Sequence, residues 1–275
     1  MDINNKNISS TSYKLLYGLI KENKEFFGIT DASKILNENS TGSIRELIRS
    51  MIRRGLVMRI SDGLYNLIPF EREVNDYFPN WHLTGKELAK SENYYVGFYS
   101  ALDIHGLITQ PSMVEYVVIS KQMKPKHKTI KNVKFEFINF NEKHFFGYED
   151  FWINDFTKVH CSDLEKTIVD CLFQPKYASG ITEIVKAIYK VRDKLDQDKM
   201  LKYLERFDSQ SVLKRLGYIL YNLDILLVLR KYIESNITKV YAPLDPSLPN
   251  EGKYNSQWRI LDNAGMKEII NSIST

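Results

Sequence analysis

The sequence predicts an α+β protein in two parts: a small N-terminal domain of three short helices closed by a hairpin, then a larger mixed α/β, helix-rich domain. Three observations carry this reading. Apolar residues recur at helical spacing up to Arg54, two strand-like runs then flank an Asp-Gly turn, and a longer alternation of β-rich and helical runs begins after the Pro69–Pro79 connection. With 275 residues, 43% of them hydrophobic, each part has enough apolar material for its own core.

The N-terminal domain spans residues 10–70. Its first helix, Tyr13 to Asn23, has Leu15, Leu16, Leu19 and Ile20 on one face. The second opens at Thr30 as N-cap and carries Ala32, Ile35 and Leu36. The third runs from about Thr41 to Arg54 with Ile44, Leu47, Ile48, Met51 and Ile52 inward, and Gly55 ends it. Leu56–Ile60 and Leu64–Leu67 are strand-like runs around Ser61-Asp62-Gly63. Three helices followed at once by a hairpin is the order of a winged helix-turn-helix, whose second helix of the pair enters the DNA major groove. The apolar stripe of the third helix leaves Ser43, Arg45, Glu46, Arg49, Ser50 and Arg53 facing out, and residues 40–60 hold five arginines against the single acid Glu46. Guanidinium forks bind guanine O6/N7 or phosphate oxygens. The expected DNA contacts are therefore Thr41, Ser43, Arg45, Arg49 and Arg53 on the helix, with Arg59 and Tyr65 on the wing. Two bland alternatives stay open: the arginines form a solvated helix face, and Ser43 forms a capping box with Glu46. The expected partner is double-stranded promoter DNA, in inverted repeats if two copies bind together.

The second domain spans residues 80–275. A helix from about Tyr94 to His105 is stopped by Gly106, which can take the left-handed conformation. A β-rich part over about residues 108–161 contains Val114–Ser120, Val133–Asn139 and Phe151–Cys161. Helices follow at about Asp163–Leu172, Ile181–Leu195, Asp198–Phe207 and Ser211–Ile233. Pro243, Pro246 and Pro249 forbid regular helix, and Trp258–Leu261 returns as a strand with Trp258 as a core anchor. Gly217, inside the last helix, costs about 1 kcal/mol relative to alanine, which predicts a close contact with another element. Lys214 faces out, Arg215 sits at the stripe's boundary, and with Tyr218 and the nearby Lys190, Arg192 and Arg206 they form either a basic contact surface or a solvated face.

Recognisable bond-making chemistry is absent from the pattern. There is no glycine-rich phosphate loop, no HExxH and no zinc-ligand spacing, and Cys161 and Cys171 read as two buried thiols. His105 lies near a helix C-terminus with no implied carboxylate or nucleophile. Ser162 and Glu165 fit a capping box, and Glu165 and Asp170 lie about 140° apart on a helix, a poor metal pair. No catalytic residue, metal or cofactor is therefore expected. The net charge of +4 is mild. The run Met1–Ser12 is polar without an apolar core and no stretch is long enough to span a bilayer, so a cytoplasmic protein is expected.

Several segments carry a resemblance. Tyr95-Val-Gly-Phe-Tyr-Ser-Ala-Leu-Asp-Ile-His-Gly-Leu107, Phe146-Gly147, Ser162-Asp-Leu-Glu-Lys-Thr-Ile-Val-Asp170, Lys214-Arg-Leu-Gly-Tyr218, and Leu244-Asp-Pro246 followed by Gly252 and Trp258-Arg259 occur in this order. Together they resemble the AbiEi-type antitoxin regulators of abortive-infection, type IV toxin–antitoxin systems, over about residues 10–265. The resemblance implies a repressor of its own promoter whose second domain counteracts a nucleotidyltransferase toxin without a stable complex. On that basis Lys214, Arg215 and Tyr218 are the expected antitoxic surface. A ligand-sensing repressor and a nucleic-acid-processing enzyme are the alternatives.

Overall fold

The computed structural model describes residues 8–108 and 110–273, so most of the polar N-terminal run lies outside the described residues. The fold is mixed α+β and divides into two compact units. The first runs to Ser91 and also takes Ile153–Thr157; the second comprises Glu92–Trp152 and Lys158 onward. No helix among the described residues is long and apolar enough to cross a membrane.

In the first unit, helix α1 (Ser10–Lys21) is capped by the Ser9 side chain and buries Leu15, Leu16 and Leu19. It starts and ends before the periodicity suggests, and Ile20 is left exposed. Strand β1 (Phe26–Gly28) leads straight into α2 (Ile29–Leu36). Thr30 is thus inside the helix; the Asp31 carboxylate instead accepts from the Gly28 N–H at 2.8 Å. Helix α3 (Thr41–Arg53) is followed by β2 (Val57–Ser61) and β3 (Leu64–Leu67), an antiparallel hairpin with a register shift between Arg59 and Ser61. The sheet order is β1-β3-β2. Leu15, Leu19, Phe27, Ala32, Ile44, Ile48, Met51 and Val57 close the core beneath it. Helix α4 (Trp81–Ala89) belongs to this unit, so the division falls after Ser91 and not within the Pro69–Pro79 connection.

The second unit is built on a six-stranded sheet. Its strands are β4 (Tyr94–Val96), β5 (Val114–Ile119), β6 (His127–Ile130), β7 (Val133–Asn139), β8 (Tyr148–Trp152) and β9 (Lys158–Ser162), in the order β6-β7-β5-β4-β9-β8. Tyr94–Val96 is therefore a strand, buried on both sides, and only Phe98–Ile104 forms helix α5. Gly106 follows with φ +67°, as its helix-stopping position requires. The single run anticipated over Phe151–Cys161 is the β8–β9 hairpin, paired from Tyr148↔Ser162 to Trp152↔Lys158.

Helix α6 (Leu164–Phe173) packs against this sheet, α7 (Ile181–Val191), α8 (Gln197–Phe207) and α9 (Gln210–Leu223) pack on α6, and α10 (Leu227–Asn236) packs on α8 and α9. The helix expected over Ser211–Ile233 is two, because the chain turns at Asp224–Leu226, where Asp224 and Leu226 have φ of 52° and 50°. The chain then returns through β10 (Ala242–Pro243), β11 (Lys253–Asn255) and β12 (Ile260–Asp262) to α11 (Met266–Ile273), with sheet order β10-β12-β11.

The return is fastened to the helices by side chains. Trp258 is fully buried, and a Cβ placed on Gly217 would overlap its ring and crowd Ile233. The glycine predicted to admit a close neighbour admits this indole. Gly217→Ala is accordingly expected to destabilise the chain by about 1–3 kcal/mol through overpacking, although alanine is the better helix former. Urea melts of the two proteins measure the difference, and equal or greater stability of the alanine variant would contradict the contact.

Candidate nucleic-acid interface

Helix α3 begins on Ser40, whose hydroxyl accepts from the Ser43 N–H at 3.3 Å. Ser43 lies one turn in, and its hydroxyl bonds that of Ser40 at 3.0 Å, so it serves the cap and its expected box with Glu46 is not formed. Ile44, Ile48 and Met51 are buried, which turns Thr41, Arg45, Arg49 and Arg53 to the exposed side. The hairpin brings Arg59 to face this helix. Arg45, Arg49 and Arg59, with Ile48, Ile52, Gly63 and Tyr65, line one cleft of about 480 Å³.

Two acids sit among these arginines. Glu46 pairs with Arg49 at 3.2 Å and with Arg53 at 3.7 Å, and Asp62 pairs with Arg59. All of these side chains are more than half exposed. Ion pairs so hydrated contribute about 0–1 kcal/mol, so a phosphate can displace either acid at little cost. Arg45 makes no ion pair among the described residues. Tyr65 differs from expectation. It is buried, with its ring 5.6 Å from that of Phe27, because β3 is the central strand of its sheet. It forms cleft floor and hairpin core, and the wing's outward residue is Arg59.

The expected surface of Lys214, Arg215 and Tyr218 is not a surface. Lys214 is 2% and Arg215 3% exposed, and Tyr218 is also buried. Helical periodicity assigned an outer side to α9, but the C-terminal return covers that side. Lys214 Nζ donates to the Thr238 hydroxyl at 2.9 Å and the Val240 carbonyl at 2.6 Å. Arg215 donates to the carbonyls of Pro243 at 3.0 Å and Leu172 at 2.7 Å, and the Tyr218 hydroxyl donates to Asp262 at 2.9 Å. Burial lowers the Arg215 guanidinium to about 10 against the opposing pull of Asp245, and burial also lowers Lys214.

Sequence reasoning missed a second polar cluster. Asp163, not Ser162, caps α6, accepting from the Lys166 N–H at 2.9 Å. Lys166 and Asp170, one turn apart on that helix, form an ion pair with no exposure at all. The Tyr95 hydroxyl donates to Asp170 at 2.9 Å and lies 3.0 Å from Lys166 Nζ. The rings of Tyr95, Phe140, Phe146 and Phe207 surround the ammonium at 5.0–5.3 Å. Burial raises Asp170 to about 6, against the pull of Lys166, and lowers Lys166. Glu165 instead meets Lys199 at 3.0 Å and the Asp196 N–H at 3.0 Å. The legible signal was a Lys and an Asp four residues apart on a helix whose remaining residues, Glu165 and Thr167 aside, are apolar. Tyr95, Lys166 and Asp170 are fully buried, and their bonds tie α6 to β4. Cys161 and Cys171 are buried free thiols, both raised by burial. His105 Nε2 lies 2.8 Å from the Ser162 carbonyl, a tie between α5 and β9. Among the described residues no group of three or more His, Cys, Asp or Glu could hold a metal ion.

No family model matches this sequence, and no curated protein sequence matches it. Among solved structures, it is similar to the crystal structure of the RV2827C protein from Mycobacterium tuberculosis, at a TM-score of 0.73 and 12% identity. The match covers 98% of this chain and 96% of that one, so the two share a fold along nearly their whole lengths.

Proposed function

We propose that this chain is a DNA-binding transcriptional repressor whose first unit is a winged helix-turn-helix. The observation that carries the reading is the cleft in which Arg45 and Arg49 of α3 face Arg59 of the β2–β3 hairpin. Helix, hairpin and exposed guanidinium groups are the parts that major-groove readers use, with the helix reading bases and the hairpin touching adjacent backbone. The element order from α1 to β3 supports the same reading. From the sequence resemblance we further propose that the operon it controls is its own, encoding a nucleotidyltransferase toxin that this chain counteracts as antitoxin. The burial of Lys214 and Arg215 moves that antitoxic activity away from them.

Arg45→Ala combined with Arg49→Ala is expected to remove preference for the chain's own promoter over scrambled DNA. Each specific bidentate contact contributes about 1–3 kcal/mol, so loss of both should weaken promoter binding by roughly thirty-fold to twenty-thousand-fold. Mobility-shift titrations with both duplexes at several salt concentrations make the measurement, alongside a thermal melt. Both arginines are exposed, so the melt should not move. Unchanged binding to both duplexes would remove α3 from the interface.

A further inference from the structure

The second unit carries a concentration of positive charge that the reading of α3 does not use and that the fold uses only in part, Lys134 pairing with Glu136. Between Glu115 and Glu136 there is no acidic residue, but there are lysines at 121, 124, 126, 128, 131 and 134, with His127 among them. Without these six lysines the chain would hold 32 basic residues against 34 acidic ones, so this one segment accounts for more than the whole net positive charge. It forms the β5–β6 connection, the edge strand β6 and the turn into β7.

Lysines on an edge strand have a structural role of their own, since they block pairing with another chain. That accounts for Lys128, on the strand, and Lys131, at the turn beside it. It does not account for Lys121, Lys124 and Lys126, which precede the strand, are exposed and make no ion pair among the described residues. The loop is nevertheless held: the Phe137 N–H donates to the Lys126 carbonyl at 2.8 Å, and His127 pairs with Glu136 in register. Three like charges thus project from a fixed backbone, a self-repelling arrangement that an anionic partner relieves.

We infer that this segment is a sequence-independent docking site for the phosphate backbone of double-stranded nucleic acid. Lysine is a point charge suited to phosphate oxygens and lacks the planar fork that reads base edges. No Phe, Tyr or Trp occurs from Val117 to Lys134, so the loop has no large aromatic platform on which unpaired bases could stack. That favours a duplex over a single strand. The site adds a second nucleic-acid contact to the molecule and does not depend on the role proposed for α3.

The test is Lys121→Gln, Lys124→Gln and Lys126→Gln together in the full chain, with a random-sequence duplex as probe. The plot of log affinity against log salt should become shallower by about 2–3, at roughly 0.9 for each phosphate no longer neutralised, and the melting temperature should stay unchanged. The same flattening should appear in the Arg45→Ala, Arg49→Ala background. An unchanged slope in the lysine variant overturns the inference, whatever the arginine variant does. Loss of promoter preference in the arginine variant alone leaves the α3 reading standing without this one. Tighter binding to a poly-dT strand than to the duplex overturns the duplex assignment. Binding to phosphatidylserine vesicles in place of the duplex, abolished in the same variant, overturns it in favour of a membrane surface.

Discussion

Replacing Lys166 by alanine is expected to cost about 3–5 kcal/mol of folding stability, because it leaves Asp170 and its cavity of aromatic rings without the cation that completes them. The two charges sit at 0% exposure, joined to each other and to the Tyr95 hydroxyl. Breaking such a pair is far more costly than removing both halves. The double change Lys166→Met, Asp170→Leu should therefore be much closer to the parent than the single change, a coupling readable from a double-mutant cycle by urea denaturation. Equal losses in single and double variants would show that the ion pair is incidental to the packing. The pair also predicts a pH effect. Asp170 has a folded value of about 6, raised from 3.8, so the folded chain holds this proton more tightly than the unfolded chain. The stability it contributes is present below about pH 4 and is lost as pH rises through 6. The stability difference between parent and double variant should shrink over that window. A difference constant from pH 4 to 7 would mean that Asp170 titrates normally.

Charge reversal of Lys214 and Arg215 is expected to unfold the second unit, not to leave a folded protein with an altered surface. Lys214 meets the Val240 carbonyl and the Thr238 hydroxyl, and Arg215 meets two carbonyls, so carboxylates in their places would face carbonyl oxygens with only the Thr238 hydroxyl able to donate. One uncompensated buried charge costs about 3–5 kcal/mol, and two approach the whole stability of an ordinary domain. Lys214→Glu, Arg215→Glu should give little soluble protein or a non-cooperative melt. A cooperative melt at the parent temperature would show that the C-terminal return is not seated on α9.

The contrast between α3 and α9 shows what periodicity can convey. In α3 no described residue covers the outward face, so the side opposite Ile44, Ile48 and Met51 is where the arginines emerge. In α9 a similar spacing of Leu213, Leu216 and Leu220 was present, but the opposite side is closed by residues some twenty-five positions later in the chain. Local pattern carries no information about such a cover. Tyr94–Val96 failed for a related reason: a short strand buried on both sides lacks alternation and reads as the start of the helix that follows it. Cues fixed by backbone geometry were read correctly, including Asp62-Gly63 in the hairpin, Gly106 after α5 and Gly217 against Trp258. The Lys166 cluster was not anticipated, because its Tyr95 lies 71 residues away from the lysine.

The cap of helix α7 comes from far along the chain: the Ile181 N–H is satisfied by the Asp245 carboxylate at 2.9 Å, 64 residues later, just as Gly217 waits for Trp258. During synthesis, α7 and α9 emerge from the ribosome with their last partners still unmade. The first unit, whose contacts apart from the Ile153–Thr157 turn lie within residues up to Ser91, can fold while the second is still being translated. The second cannot complete its core until the segment through Trp258 has emerged, because Asp245 and Trp258 supply contacts that α7 and α9 otherwise lack.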